Sequence, residues 1–94
     1  MTKEQRVKAW RILQHYDSSA QMVKCCEELS ELETAILQHI NKGQCQDKIL
    51  EEMADTYIML EQLRCIMPFG DNDLEDEINF KLDRQLQRIR GVNN

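Results

Sequence analysis

The chain is poor in the residues that break or bend secondary structure, with one proline, three glycines and five aromatic residues among 94. That scarcity excludes collagen-like and Pro/Gly-rich disordered classes, and no period-two alternation of the kind strands need is present. No basic run occurs, and the net charge is −5, from 12 Lys and Arg against 17 Asp and Glu. This argues against nucleic acid as the main partner. No apolar run is long enough to span a bilayer and no signal-peptide pattern is visible, so no membrane partner and a cytoplasmic setting are expected. The four cysteines Cys25, Cys26, Cys45 and Cys65 form no C-x-x-C pair. They read as small core or interface residues of a protein in a reducing compartment. Nucleophile triads and Gly-rich phosphate loops are also missing.

What is present is a helical composition, 41% hydrophobic and 31% charged, of a length that supports one domain, residues 1–94. The apolar spacing predicts four helices. The first runs from about Lys3 to His15 with Val7, Trp10, Ile12 and Leu13 as its apolar residues. Asp17, Ser18 and Ser19 supply N-cap chemistry for a second, ended near Asn41 by Lys42 and Gly43. After a linker around Gln44 to Gln46, Asp47 is placed as the N-cap of a third helix that continues to about Met67 and stops at Pro68 and Gly70. Asp71, Asn72 and Asp73 cap a fourth, from about Leu74 to Arg90, with a polar tail beyond Gly91. The expected fold is all-α, a four-helix chain with a central antiparallel hairpin of helices two and three. Broad apolar faces on so small a chain imply an oligomer.

Two acidic clusters interrupt those faces: Glu27, Glu28 and Glu31 on the second helix, Glu52 and Asp55 on the third. At about 100° per residue, Met59, Leu63 and Met67 fall within roughly 60° of Glu52, and Asp55 falls roughly 60° to its other side beside Ile66. Glu28 borders a stripe of Met22, Cys25, Leu29, Leu32 and Ile36 and so faces inward. Buried carboxylates require a compensating cation, and an oxygen-only donor set suits magnesium, with manganese as a substitute, better than zinc. A di-iron site would need Glu-x-x-His pairs, and neither His15 nor His39 has Glu three residues before it. The histidines read as surface or interface residues. On the fourth helix Lys81, Arg84 and Arg88 lie within roughly 60° of one another beside an apolar face of Ile78, Leu82, Leu86 and Ile89. A basic stripe is commonly a solvated surface, but next to a magnesium site it suits phosphate.

The run Gln21-x-x-Lys24-x-x-Glu27-Glu28-x-x-Glu31-Leu32, followed by Glu51-Glu52-x-x-Asp55-x-x-Ile58-Met59, resembles the MazG-like all-alpha nucleoside triphosphate pyrophosphohydrolases. The resemblance spans roughly Trp10 to Arg88 and matches that family's E-E-x-x-E and E-x-x-D positions, and Lys81-x-x-Arg84 is similar to the basic pair of its short, phage-type members. It implies a MazG-like bundle assembled as a homodimer or homotetramer. It implies magnesium-dependent hydrolysis of a nucleoside triphosphate between the α and β phosphates. Carried over, Glu28, Glu31, Glu52 and Asp55 would be metal ligands, Glu27 would orient a ligand or the attacking water, and Glu27 and Glu28 would form the catalytic pair. Lys81 and Arg84 would bind phosphates, with Gln21, Lys24, Trp10 and Tyr16 as further substrate contacts. The segment from Pro68 to Asp73 is short, and the extended C-terminal region of longer relatives is lacking. A degenerate family member, or a non-catalytic helical interaction module whose acids pair with Lys or Arg, are the alternatives.

Overall fold

The computed structural model describes residues 1–43 and 46–91, and these form four α-helices and no strand: α1 (Lys3–His15), α2 (Ser18–Lys42), α3 (Gln46–Ile66) and α4 (Asp73–Ile89). Cys45, most of the expected linker and the tail beyond Gly91 lie outside the described residues. Local chemistry explains most of the boundaries. Thr2 and Gln5 form a reciprocal capping box, in which each side chain accepts from the other's backbone N–H at 3.1 and 2.8 Å. Asp17 Oδ1 accepts from the Ala20 N–H at 2.7 Å to start α2. Gly43, at φ 65°, ends α2 in the left-handed conformation and donates its N–H to the His39 carbonyl.

Two expected caps differ. Helix α3 already begins at Gln46, so Asp47 sits in its first turn, where a carboxylate complements the helix dipole instead of capping the end. At α4 the cap position is Asn72, whose side chain makes no capping bond. Asp73 instead accepts the Gly70 N–H at 2.7 Å, and a Cβ on Gly70 would come within 3.3 Å of that same carboxylate.

Helices α2 and α3 form the central hairpin. Its antiparallel sense follows from the pairing of Gln21 near the start of α2 with Gln62 near the end of α3, while Glu31 meets Glu52. Helix α1 lies against α3. The seam is unusually polar: Gln21, Glu28, Glu52, Thr56 and Gln62 are buried beside only Ala9, Leu13, Cys25, Ala35 and Met59. Gln62, 1% exposed, donates to the Ala9 carbonyl at 3.1 Å and accepts from Gln21 Nε2 at 2.7 Å, so one amide ties three helices together.

The expected inward stripe of α2 is corrected by this seating. Met22, Leu29 and Ile36 are exposed, and the helix turns Gln21, Cys25, Glu28 and Ala35 toward α3 instead. Small and polar residues let the two backbones approach where bulky ones would hold them apart. On α1, Ala9 and Leu13 are buried while Val7, Trp10 and Ile12 remain exposed, and Cys65 on α3 is exposed rather than packed. Helix α4 has no buried residue and is not part of the two closely packed pairs, α2 with α3 and α1 with α3. No described helix is long and apolar enough to cross a membrane.

At the end of α3 away from Glu52, Arg64 grips Glu61 with two bonds, Nε to Oε1 at 3.1 Å and Nη2 to Oε2 at 2.7 Å, and Arg6 adds a longer contact at 4.0 Å. The hydrogen bonds from Arg64 hold the Glu61 carboxyl below the usual carboxylate range, against the opposing effect of its partial burial. A carboxyl with a depressed folded value stabilises above its unfolded value of about 4.3 and loses that contribution as pH falls through the folded one. Glu61→Gln should therefore unfold at lower denaturant than wild type at neutral pH, and the two should converge on acidification. Gln62→Ala leaves the buried Gln21 amide and the Ala9 carbonyl without their shared partner and should cost about 2–3 kcal/mol in a urea titration.

Candidate metal centre

Glu28 and Glu31 on α2 and Glu52 on α3 each present a carboxylate oxygen within 4.8 Å of the others. The i, i+3 spacing puts Glu28 and Glu31 on one side of α2, and the antiparallel hairpin brings Glu52 across to them. Glu52 is 2% and Glu28 7% exposed, whereas Glu31 is exposed at the rim. Each buried acid has a lysine one helical turn before it: Lys24 Nζ is 3.5 Å from Glu28 Oε1, and Lys48 Nζ is 3.0 Å from Glu52 Oε1. The second oxygens, Glu28 Oε2 and Glu52 Oε2, are buried with no hydrogen-bond partner among the described residues, as is Thr56 Oγ1.

Repulsion from Glu28, then from Glu52, raises the Glu31 carboxyl above its ordinary value. The hydrogen bond and charge of Glu52 raise the Lys48 ammonium as well. The cluster thus holds more negative charge than its lysines settle, and two oxygens withdrawn from water lack a donor. That donor set fits a hard divalent cation: a span of 4.8 Å is close to the roughly 4.2 Å between opposite oxygens around octahedral magnesium. Beside the cluster lies a cleft of about 310 Å³ lined by Ser30, Glu31, Thr34 and Gln38 from α2 and by Lys48 and Glu52 from α3.

The carboxylate group holds three of the four expected ligands. Asp55 is exposed and not among them; α3 turns Glu52 and Thr56, four residues apart, toward the seam instead. Glu27 is exposed for a similar reason, one residue and about 100° before Glu28. No protein-family model matches this sequence, and no curated protein or solved structure matches it either.

Gln21, expected as a substrate contact, is buried with its amide bonded to Gln62, a tie between α2 and α3. Lys24 is committed to Glu28. Trp10 lines a different depression, with Arg6, Glu61 and Arg64, and Tyr16 stacks edge-on against His15 at 4.7 Å. Lys81 pairs with Glu77 at 3.7 Å, and Arg84 lies over the Phe80 ring at 5.7 Å. Neither lines the acidic cleft. Helix α4 leaves from the end of α3 that is 14 residues, about 21 Å, beyond Glu52. The cation that does face the cleft is Lys48, missed in the sequence although its place four residues before Glu52 was a readable signal.

A group whose folded value is raised, as for Glu31, costs stability as pH rises past its unfolded value near 4.3. Glu31→Gln should therefore raise the thermal midpoint at neutral pH in the presence of chelator. The gain should vanish below about pH 4, where both states are protonated.

Proposed function

We propose that the chain holds magnesium or manganese between Glu28, Glu31 and Glu52 and hydrolyses a nucleoside triphosphate between its α and β phosphates to a monophosphate and pyrophosphate. The observation that carries the cation is the pair of buried, unpartnered oxygens, Glu28 Oε2 and Glu52 Oε2, in a carboxylate group drawn from two helices. The reaction class rests on the resemblance of the two acidic motifs to MazG-like pyrophosphohydrolases. The metal, when bound, acidifies a water and offsets charge on the phosphate oxygens. The chain's own residues supply the rest. Glu28 and Glu52 are held in place by Lys24 and Lys48, Glu31 stands at the mouth of the cleft, and the Lys48 ammonium, which lines that cleft, would meet a phosphate oxygen on this reading. Ser30 and Gln38 offer polar groups along the same wall. Asp55 and Glu27, both exposed, act on this reading only from the solvent side.

A second reading has its own support. The lysine partners of Glu28 and Glu52 are what a non-catalytic helical interaction module, or a degenerate family member, would use to settle its inward acids. The two readings separate on pyrophosphate release from a panel of nucleoside triphosphates with magnesium. The enzyme reading expects monophosphate and pyrophosphate in equal amounts, abolished by chelator and reduced at least about 100-fold by Glu52→Gln. Glu52→Gln should stay helical. Silence across the panel, with no heat of binding for magnesium or manganese, selects the interaction module.

A further inference from the structure

The two hairpin helices each carry one threonine, and the two hydroxyls are used differently. Thr34 on α2 donates to the Ser30 carbonyl one turn earlier at 3.0 Å, the local bond that a helical threonine makes when nothing else claims its hydroxyl. Thr56 on α3 has the same opportunity with the carbonyl of Glu52. Its Oγ1 makes no such bond, is withdrawn from solvent and has no hydrogen-bond partner among the described residues. Thr34 is exposed whereas Thr56 is 6% exposed, so the hydroxyl left unpaired is the one that bulk water does not reach.

The surroundings of Thr56 supply a reason. A four-residue step turns about 40°, which puts Thr56 on the same inner side of α3 as Glu52. Gln21 with Gln62 and Glu31 with Glu52 pair in one register, and that register sets Thr56 across from the turn of α2 that carries Glu28. Thr56 does not line the polar cleft bordered by Glu31, Lys48 and Glu52. It lies behind the acids, on the closed side of the seam.

Three buried oxygens are thus left unsatisfied along one stretch of the hairpin: Glu28 Oε2, Glu52 Oε2 and Thr56 Oγ1. The carboxylate oxygens only accept, whereas the hydroxyl also donates. Without an ion the donor and the acceptors do not meet. An ion between the acids changes what the hydroxyl is worth, because ligating carboxylates must be held in one orientation, and hydrogen bonds from groups just outside the ligands do this.

We infer that Thr56 is a positioning residue of the cation site: with an ion between Glu28, Glu31 and Glu52, its hydroxyl donates to the ion's oxygen shell from the buried side of the seam and fixes the ligand geometry. This role rests on the proposed cation site. It gives α3 a second polar group there, one helical turn from Glu52 and on the inner side, while Asp55 is exposed.

Manganese titrations on the full chain, followed by calorimetry and by loss of the free-ion paramagnetic resonance signal, test this with Thr56→Val and Thr56→Ser, alongside thermal melts in chelator. Wild type should bind the ion. Thr56→Val, of the same shape without the hydroxyl, should bind it about 10- to 100-fold more weakly, and Thr56→Ser should recover most of the affinity. In chelator Thr56→Val should melt no lower than wild type, since it removes a buried hydroxyl that has no partner. A threonine that only supports packing would do the reverse, melting lower on substitution with ion affinity unchanged. Unchanged affinity in Thr56→Val, an equal loss in Thr56→Ser, or a lower melting point of Thr56→Val in chelator would each overturn the proposal and leave the cation site standing. Wild type that binds no manganese would overturn the cation site itself, and the role of Thr56 with it.

Discussion

Burial of polar groups between α2 and α3 is the constraint on which the rest of the structure depends. A hairpin seam lined by Gln21, Glu28, Glu52, Thr56 and Gln62 is stable only if each buried polar group finds a partner, and the two ends of the seam solve this differently. At the Gln62 end the problem is closed internally. One amide joins α1, α2 and α3, and its two bonds fix the register of the hairpin, since a shift by one residue would strand both glutamines. At the Glu52 end the lysines satisfy one oxygen of each buried acid and leave the other without a donor. Register set at one end therefore holds the carboxylates together at the other.

The polar seam also explains the shape. By turning Gln21, Glu28 and Ala35 toward α3, α2 gives its bulky apolar residues to the outside, and the apolar stripe of α4 is exposed as well. The five buried hydrophobic residues among those described, mostly small, are a thin core.

Electrostatics divides the molecule along α3. Near its end, Glu61 is neutralised by Arg64 and approached by Arg6, an ion pair that works as a clamp between α1 and α3. Near its start, acids outnumber the lysines around them, and Glu31 responds by holding its proton more tightly. One helix thus carries a settled charge pair and an unsettled cluster about three turns apart, and the unsettled cluster is the one that borders a polar cleft.

The sequence by itself determined the helices: their number, most of their ends and the inward direction of Glu28 and Glu52. Caps, glycine conformation and 3.6-residue spacing act over a few neighbouring residues, so Asp17, Gly43 and Pro68 announce their roles locally. Tertiary structure alone decided which face of α2 meets α3, because angular spacing gives a stripe but not how closely two backbones approach. Small and polar residues won that seat over Met22, Leu29 and Ile36. It also decided that Glu52 of α3 meets Glu28 and Glu31 of α2 while Asp55 stays outside that group, and that Gln21 is spent on Gln62. Those outcomes depend on contacts made across 20 to 40 residues of chain, where the placement of one helix against another outweighs the pattern within either.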